Sequence, residues 1–419
     1  MRAVVIALVL VAMISLRGFA APPPNVVMII SDDQGWTDFG FMGHESIKTP
    51  SLDKLAAESA VFVNGYVPTS LCRASLATLL TGLYGTQHKI CCNDFPMDKD
   101  RSQSHAFIQR VPTVPRLLGG RGYASLQTGK FWEGHFSNGG FTDGMTTHGR
   151  HGEEGLLIGR QTMQPVFDFI DRNVEAKKPF FVWYAPMMPH NPHNPPKRIL
   201  EKYTANGVSA NVALYFAMCE WFDETCGQLI DYLDSKKLRD NTLIVFVIDN
   251  GWVQDPKDKN KSIRSKLTPY DDGLRTPIML SWPGHVKPGK RNELATSLDL
   301  APTILNACGA AVPETMAGAN LLDVAEGHGS LVRDAVFGEI FHHEAADLNN
   351  PQLSMTHRWV RQGDWKLIVP TEGNGKPQLF NLKDDPHEKN ELAEQRPQDV
   401  ERLRAALEKW WTGIHPAVN

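Results

Sequence analysis

The sequence has no apolar run long enough to cross a bilayer as a helix once its first residues are set aside. The apolar stretch at residues 3–16 is itself too short to span comfortably. It follows Arg2 and precedes Gly18-Phe19-Ala20, which offers small residues at the cleavage positions, so residues 1–20 read as a signal peptide cut near Ala20 or Ala21. The expected location is secreted or periplasmic, with no transmembrane segment in the mature chain. A basic excess is also missing. Lysine and arginine number 43 against 47 acidic residues, a net charge of −4, so no nucleic-acid partner is expected. Cysteine is sparse, with six in 419 residues: Cys72, Cys91, Cys92, Cys219, Cys226 and Cys308. That excludes a scaffold built on disulfides, because a chain of this length buries its own core. An even number in an exported chain still permits three bridges. Internal repeats are absent. What remains, 42% hydrophobic and 21% charged, is an ordinary folded chain of about two domains.

Four short β-branched runs, at residues 26–30, 180–184, 243–248 and 278–280, are continuously apolar rather than alternating. That pattern predicts strands buried on both faces, as in a parallel sheet covered by helices. Helical patterns lie between them. Thr49 and Pro50 look like a cap and a first-turn proline. Met218, Phe222, Cys226, Leu229 and Leu233 form one side of a long helix ending before Asn241. The alternation predicts an α/β domain over residues 22–310. Beyond it the texture changes. Short strands at 359–360, 366–369 and 378–382, a turn at 373–375 and a helix from Pro397 to about Trp411 predict a smaller α+β domain over 311–419.

Two predicted strands end alike. The first runs into Asp32 and Asp33, the other into Asp249 and Asn250. Open α/β sheets bind ligands at these carboxyl ends. Three carboxylates and an amide converging there require a cation, and all-oxygen ligation favours Ca²⁺, with Mg²⁺ second.

The segment from Cys72 to Gly82, with Arg73, Ala74, Ser75 and Thr81, resembles the signature of the type I sulfatases of the alkaline phosphatase superfamily. The likeness continues through Gly129-Lys130, Pro189-His190, Lys266 with Tyr270-Asp271-Asp272-Gly273, Trp282-Pro283-Gly284, and Gly363-Asp364-Trp365 to Asn390-Glu391-Leu392. It spans roughly residues 25 to 395. The resemblance implies a large mixed, mostly parallel sheet sandwiched by helices, alkaline-phosphatase-like, in the catalytic domain. It implies that a maturation enzyme converts Cys72 to formylglycine, the nucleophile, and that this residue joins Asp32, Asp33, Asp249 and Asn250 around the cation. Lys130 and Lys266 are then the sulfate-binding lysines, and His190 the sulfate ligand and leaving-group acid.

The sequence departs from the family at two places. Leu76 stands where the family has arginine, and Arg73 is the expected source of the missing guanidinium. Trp132 stands where it has histidine, leaving His135, His148 and His151 as replacements. His193 and Asn93 are further candidates for substrate contact, as are Asp94, Trp132, His135, His342, His343 and Glu344. The expected reaction is sulfate-ester hydrolysis on sulfated carbohydrates. The alternatives are a phosphate- or phosphonate-ester hydrolase of the same superfamily, and an inactive protein that binds sulfated glycans. With Cys72 converted, five thiols remain, so at least one stays unpaired within the chain.

Overall fold

A computed structural model describes residues 22–95, 101–205, 207–371, 373 and 375–411. The expected signal peptide and the centre of the 373–375 turn, Asn374, lie outside the described residues. The first sheet contains β1 (Asn25–Ser31), β2 (Ala60–Tyr66), β3 (Ala124–Gly129), β4 (Asp143–Gly144), β5 (Phe180–Ala185), β6 (Thr242–Ile248), β7 (Arg275–Ser281) and β8 (Gly289–Thr296). Their order is β4-β3-β5-β1-β6-β7-β2-β8. The run from β4 to β6 is parallel, and β7 lies antiparallel between β6 and β2.

The continuous apolar runs occupy the middle of this sheet because both faces are covered. Val26, Met28 and Ile30 of β1 enter one core with Val245 and Val247 of β6, while Val27 and Ile29 enter the opposite core with Ile244, Phe246 and Ile248. Each such side chain contributes about 1.5–3 kcal/mol by leaving water. The second core is closed by the helix Ala210–Ser235, whose Met218, Phe222, Cys226, Leu229 and Leu233 point inward as their spacing predicts. The helix Pro50–Ala57 starts at its proline, but Thr49 does not cap it. Its free amides at Ser51 and Leu52 donate instead to the Asp223 carboxylate on the long helix, at 3.0 and 2.7 Å. The sequence periodicity carried no sign of that distant cap.

A second, antiparallel sheet joins β9 (Ala335–Phe341), β10 (Met355–Gln362), β11 (Trp365–Pro370) and β12 (Gln378–Asn381) in the order β12-β11-β10-β9. One face packs Trp359, Ile368 and Phe380 on Tyr66, Leu274 and Leu294 of the first sheet and its loops. The other lies under the helix Pro397–Trp410 through Leu403 and Leu407. Between the sheets sits a buried ion cluster. Lys366 Nζ is 2.7 Å from Asp271 Oδ1 and 2.9 Å from Glu388 Oε1, all three residues being almost inaccessible. Tyr66 donates to Asp271 Oδ2 at 2.7 Å.

Removing the cation of this cluster strands a buried carboxylate. Lys366→Ala is expected to cost about 3–5 kcal/mol, read as a lower urea midpoint, with Lys366→Arg milder. A second expectation concerns Glu339, whose carboxyl is pushed up to about 7 by burial despite hydrogen bonds from the Thr86 amide and hydroxyl. A raised acid pKa means that the folded chain holds the proton more tightly than the unfolded one. Its contribution is therefore full at low pH and is lost as pH rises through about 7. Glu339→Gln should flatten the difference in unfolding free energy between pH 5 and pH 8, measured against the parent chain.

Candidate active site

The register of β1 on β6 pairs Ser31 with Ile248, so the residues that leave the two strands emerge side by side. Those residues are Asp32, Asp33, Asp249 and Asn250. Asp33 takes a left-handed backbone at φ 59°, a strained conformation for a non-glycine residue. Its amide donates to Asp249 Oδ1 at 3.0 Å, and Asn250 Nδ2 donates to Asp33 Oδ1 at 2.7 Å. Lys130 follows β3, two strands away, and its amide bonds Ala185 of β5 at 2.7 Å. Glycine is required just before it. A Cβ on Gly129 would lie 1.9 Å from the Ala185 carbonyl oxygen, and its φ is +74°. Cys72 is the first residue of the helix Cys72–Thr81, which Gly82 ends in the left-handed region at φ 67°. The closing Thr-Gly of the motif is therefore a helix C-terminus.

These elements bring the predicted residues into one buried cluster. Lys130 Nζ is 2.7 Å from Asp32 Oδ1, and Lys266 Nζ is 2.7 Å from both oxygens of Asp33. Cys72 Sγ lies 3.6 Å from Asp33 Oδ1 and 3.9 Å from Asp32 Oδ1. His190 Nε2 is 3.4 Å from Asp33 Oδ2. Its Nδ1 faces the Asn191 carbonyl at 2.6 Å, and a carbonyl only accepts, so Nδ1 carries the proton. Burial opposes the charge on Asp32 and Asp33, yet Lys130 and Lys266 respectively overcome it and hold both carboxyls below the usual range. Asp249 has no such partner. Burial, and then the Asp32 charge, push its carboxyl far up. Burial also pushes the Cys72 thiol up, against the pull of Lys130 and Lys266.

The donor set fits a divalent cation. Among the described residues, Asp32 Oδ2, Asp249 Oδ2 and Asn250 Oδ1 are buried oxygens without a hydrogen-bond partner. Buried acceptors in folded proteins are mostly paired, so three unpaired ones on residues that leave adjacent strands mark a place for positive charge. Ligand atoms of Asp32, Asp33, Cys72 and His190 also lie within 4.8 Å of one another.

The other predicted contacts separate into those the fold gathers and those it does not. His135 is exposed, its ring 4.2 Å from Phe136 and its Nδ1 on Ser137. His148 is exposed beside Glu154. His151 is the member of that trio at the cluster. Its ring centroid is 4.3 Å from that of Trp132 and 6.3 Å from that of His190, and Arg150 bonds its Nε2. His193 lies beside His190, its ring 5.6 Å from Tyr215, and burial pulls its imidazole down to about 4. Asn93 is buried, accepting from the Arg73 amide at 3.0 Å and reaching His343 Nε2 at 3.5 Å.

Arg73 turns to Glu133, which it grips with two nitrogens at 2.7 and 2.8 Å, and to Ser104 at 3.0 Å. Leu76 and Trp132, the two departures from the family pattern, line one small apolar gap with Phe131 and Trp183. Residue spacing gave no sign of Glu133. Asp94, a candidate for substrate contact, instead turns its carboxylate to Arg101 at 2.6 Å and Arg150 at 2.8 Å.

The family described as Sulfatase matches residues 24–310, and the C-terminal region of N-sulphoglucosamine sulphohydrolase matches residues 263–412. Arylsulfatase A of Homo sapiens is 29% identical over 76% of this chain and 70% of its own length. An N-acetylgalactosamine-6-O-sulfatase of Bacteroides thetaiotaomicron is 24% identical over 94% of each chain. A solved protein bound to its substrate D-glucosamine-2-N,6-O-disulfate shares the fold with a TM-score of 0.73, at 19% identity over 93% of this chain and 98% of that one. The large mixed sheet with its helices and the small antiparallel sheet is thus the alkaline-phosphatase-like sulfatase fold. The chain belongs to the sulfatase family and is a sulfuric ester hydrolase.

Proposed function

We propose that this enzyme is exported and removes sulfate from sulfated carbohydrates, using a formylglycine made from Cys72 and a Ca²⁺ ion, with Mg²⁺ as second choice. The observation that carries this reading is the position of Cys72. It stands between two buried lysines and a set of unpaired oxygens, and relatives with this arrangement of sequence are named for sulfated sugars. Asp32, Asp33, Asp249, Asn250 and residue 72 would hold the cation, which supplies positive charge against the sulfate oxygens. A formylglycine at residue 72 would, once hydrated, supply the hydroxyl that attacks sulfur.

The remaining roles fall to the chain's own side chains. Lys130 and Lys266 stabilise charge on the sulfate oxygens, having been fixed in advance by Asp32 and Asp33, so little reorganisation accompanies reaction. His190, protonated at Nδ1 toward Asn191, takes its second proton on Nε2, beside Asp33; burial and then Lys130 pull its imidazole down, so that proton is given up readily to the leaving sugar oxygen. His151 acts differently. Burial, Lys130 and Arg150 pull its imidazole down to about 3, and Arg150 occupies Nε2. It therefore stays neutral with the proton on Nδ1, and serves as a hydrogen-bond donor to a sulfate oxygen. Asn93 and His193 line the sugar side. The exposed His135 falls to the outer surface, and Arg73 supports the helix of residue 72 through Glu133.

The deciding experiment is the mass of the proteolytic peptide carrying residue 72, joined to turnover of a sulfated-sugar panel with and without chelator. Aldehyde, turnover and chelator sensitivity are expected together. Preference for phosphate esters would move the reading to the phosphate- or phosphonate-ester alternative, and binding without turnover to the inactive glycan binder.

Lys130→Ala should lower kcat about 10²–10³-fold. His190→Asn should lower kcat about 10²–10⁴-fold on sugar sulfates but far less on an activated aryl sulfate, whose leaving group needs no proton. A flat response across leaving groups would remove His190 from that role. Asp249→Asn should be neutral or stabilising in chelator, where Asp249 is an unpaired buried acid. It should also abolish the stabilisation that the parent gains from calcium, about 2.7 kcal/mol at a hundred times Kd. Differential scanning calorimetry reads both.

A further inference from the structure

Cys91 and Cys92 are adjacent in the chain, both buried, with their sulfurs 3.5 Å apart. The other cysteines lie in separate places. Cys219 packs with Ile47, Tyr215 and Trp252, Cys226 sits in the core under the long helix, and Cys308 packs in the opposite core near Tyr123. The segment that follows the pair is a strap between distant parts of the site. Asn93 accepts from the Arg73 amide at 3.0 Å, beside residue 72. The amides of Asn93 and Asp94 donate to the His343 carbonyl at 3.0 and 3.2 Å, and the Ala345 amide returns a bond to Asp94 at 2.8 Å. The Asp94 carboxylate fixes Arg101 and Arg150, and Arg150 in turn bonds His151.

We propose that Cys91 and Cys92 form a vicinal disulfide, a modification that stiffens this strap and can be reversed by reduction. The sulfur–sulfur bond forms as the two thiols lose two protons and two electrons. The electrons reduce a disulfide of the exchange type, such as oxidised glutathione, to its two thiols. The sulfurs close from 3.5 Å to about 2 Å. Adjacent Cα atoms are about 3.8 Å apart, less than the roughly 4.4–6.8 Å of unstrained bridges, so this one is reducible more easily than most. The two thiols share one hydrogen bond in which either sulfur can donate, so either can begin the exchange. The thiol count also closes. Once Cys72 is converted, one bridge leaves Cys219, Cys226 and Cys308 as separate buried thiols.

The proposal draws its natural oxidant from the export reading above, but its test needs neither export nor turnover. The purified full chain is equilibrated with oxidised or with reduced glutathione, trapped with iodoacetamide in denaturant, and cut after lysine and arginine. The peptide of residues 90–99 contains both cysteines and no other. In oxidised glutathione it should be lighter by two hydrogens and unlabelled, and in reduced glutathione doubly labelled. A doubly labelled peptide, or one carrying glutathione, under oxidising conditions overturns the bridge. Hydrogen exchange at the Asn93 and Asp94 amides should be about tenfold faster in the reduced chain. Cys91→Ser should show the fast rate in both buffers, while Cys219→Ser keeps the response. Equal rates in both buffers for the parent chain overturn the stiffening.

Discussion

Everything at the site depends on one constraint, the lateral register of β1 on β6. Both strands are buried on both faces, with alternate residues committed to opposite cores. A slip of one residue would exchange the two sets of side chains between cores of different shape. The register is thus held by most of the apolar burial in the sheet, and it sets Asp32 and Asp33 beside Asp249 and Asn250. Carboxylates at such depth repel one another and lose their hydration. They are tolerable only with compensating charge of good geometry. Lys130 and Lys266 supply part of it at 2.7 Å, and three oxygens are still left without partners. The apolar core fixes a charge arrangement that is incomplete by itself, and that incompleteness is what the site offers to a cation and a sulfate group.

The second sheet is part of the same arrangement. Lys266 lies on a loop that runs to Asp271 and Asp272, and this loop is held from the other side. Lys366 pairs with Asp271, His387 with Asp272 at 3.0 Å, and Arg264 bonds the Glu388 carbonyl. The strap at Asn93 and Asp94 bonds residues just beyond β9. Loops from both sheets therefore close over one cluster. A lysine that must meet both oxygens of Asp33 while buried needs its backbone fixed on both sides, because an error near 1 Å would leave the ammonium partly unpaired.

How much of this was legible follows from the range of each interaction. Strands 26–30, 180–184 and 243–248 were readable because double-sided burial writes itself into consecutive residues. Strands β2 and β3 were not, since Asn64, Gly65, Ser125, Gln127 and Thr128 interrupt the apolar pattern where the strands meet loops and polar neighbours. Among the residues that the structure gathers, Asp32, Asp33, Asp249 and Asn250 were readable from their position after strands. The family likeness added Cys72, Lys130, His190 and Lys266. The choice among His135, His148 and His151 was closed to sequence. It depends on where a loop of about twenty residues folds back, and only the third packs on Trp132. Arg73 was assigned by adjacency to Cys72. Successive helical residues point about 100° apart, which carries its side chain to Glu133 instead.

Leu76 and Trp132, the two residues that depart from the family pattern read in the sequence, line one apolar gap. The charge that remains there, Arg73 with Glu133, is internally neutral and spent on support. Without a cation, Asp32 and Asp33 are matched by Lys130 and Lys266 while Asp249 keeps its proton, so the cluster is neutral. A divalent cation that displaces the Asp249 proton gives one net positive charge, the complement of a sulfate monoester. The cluster's charge thus complements a sulfate monoester only with a cation among its unpaired oxygens.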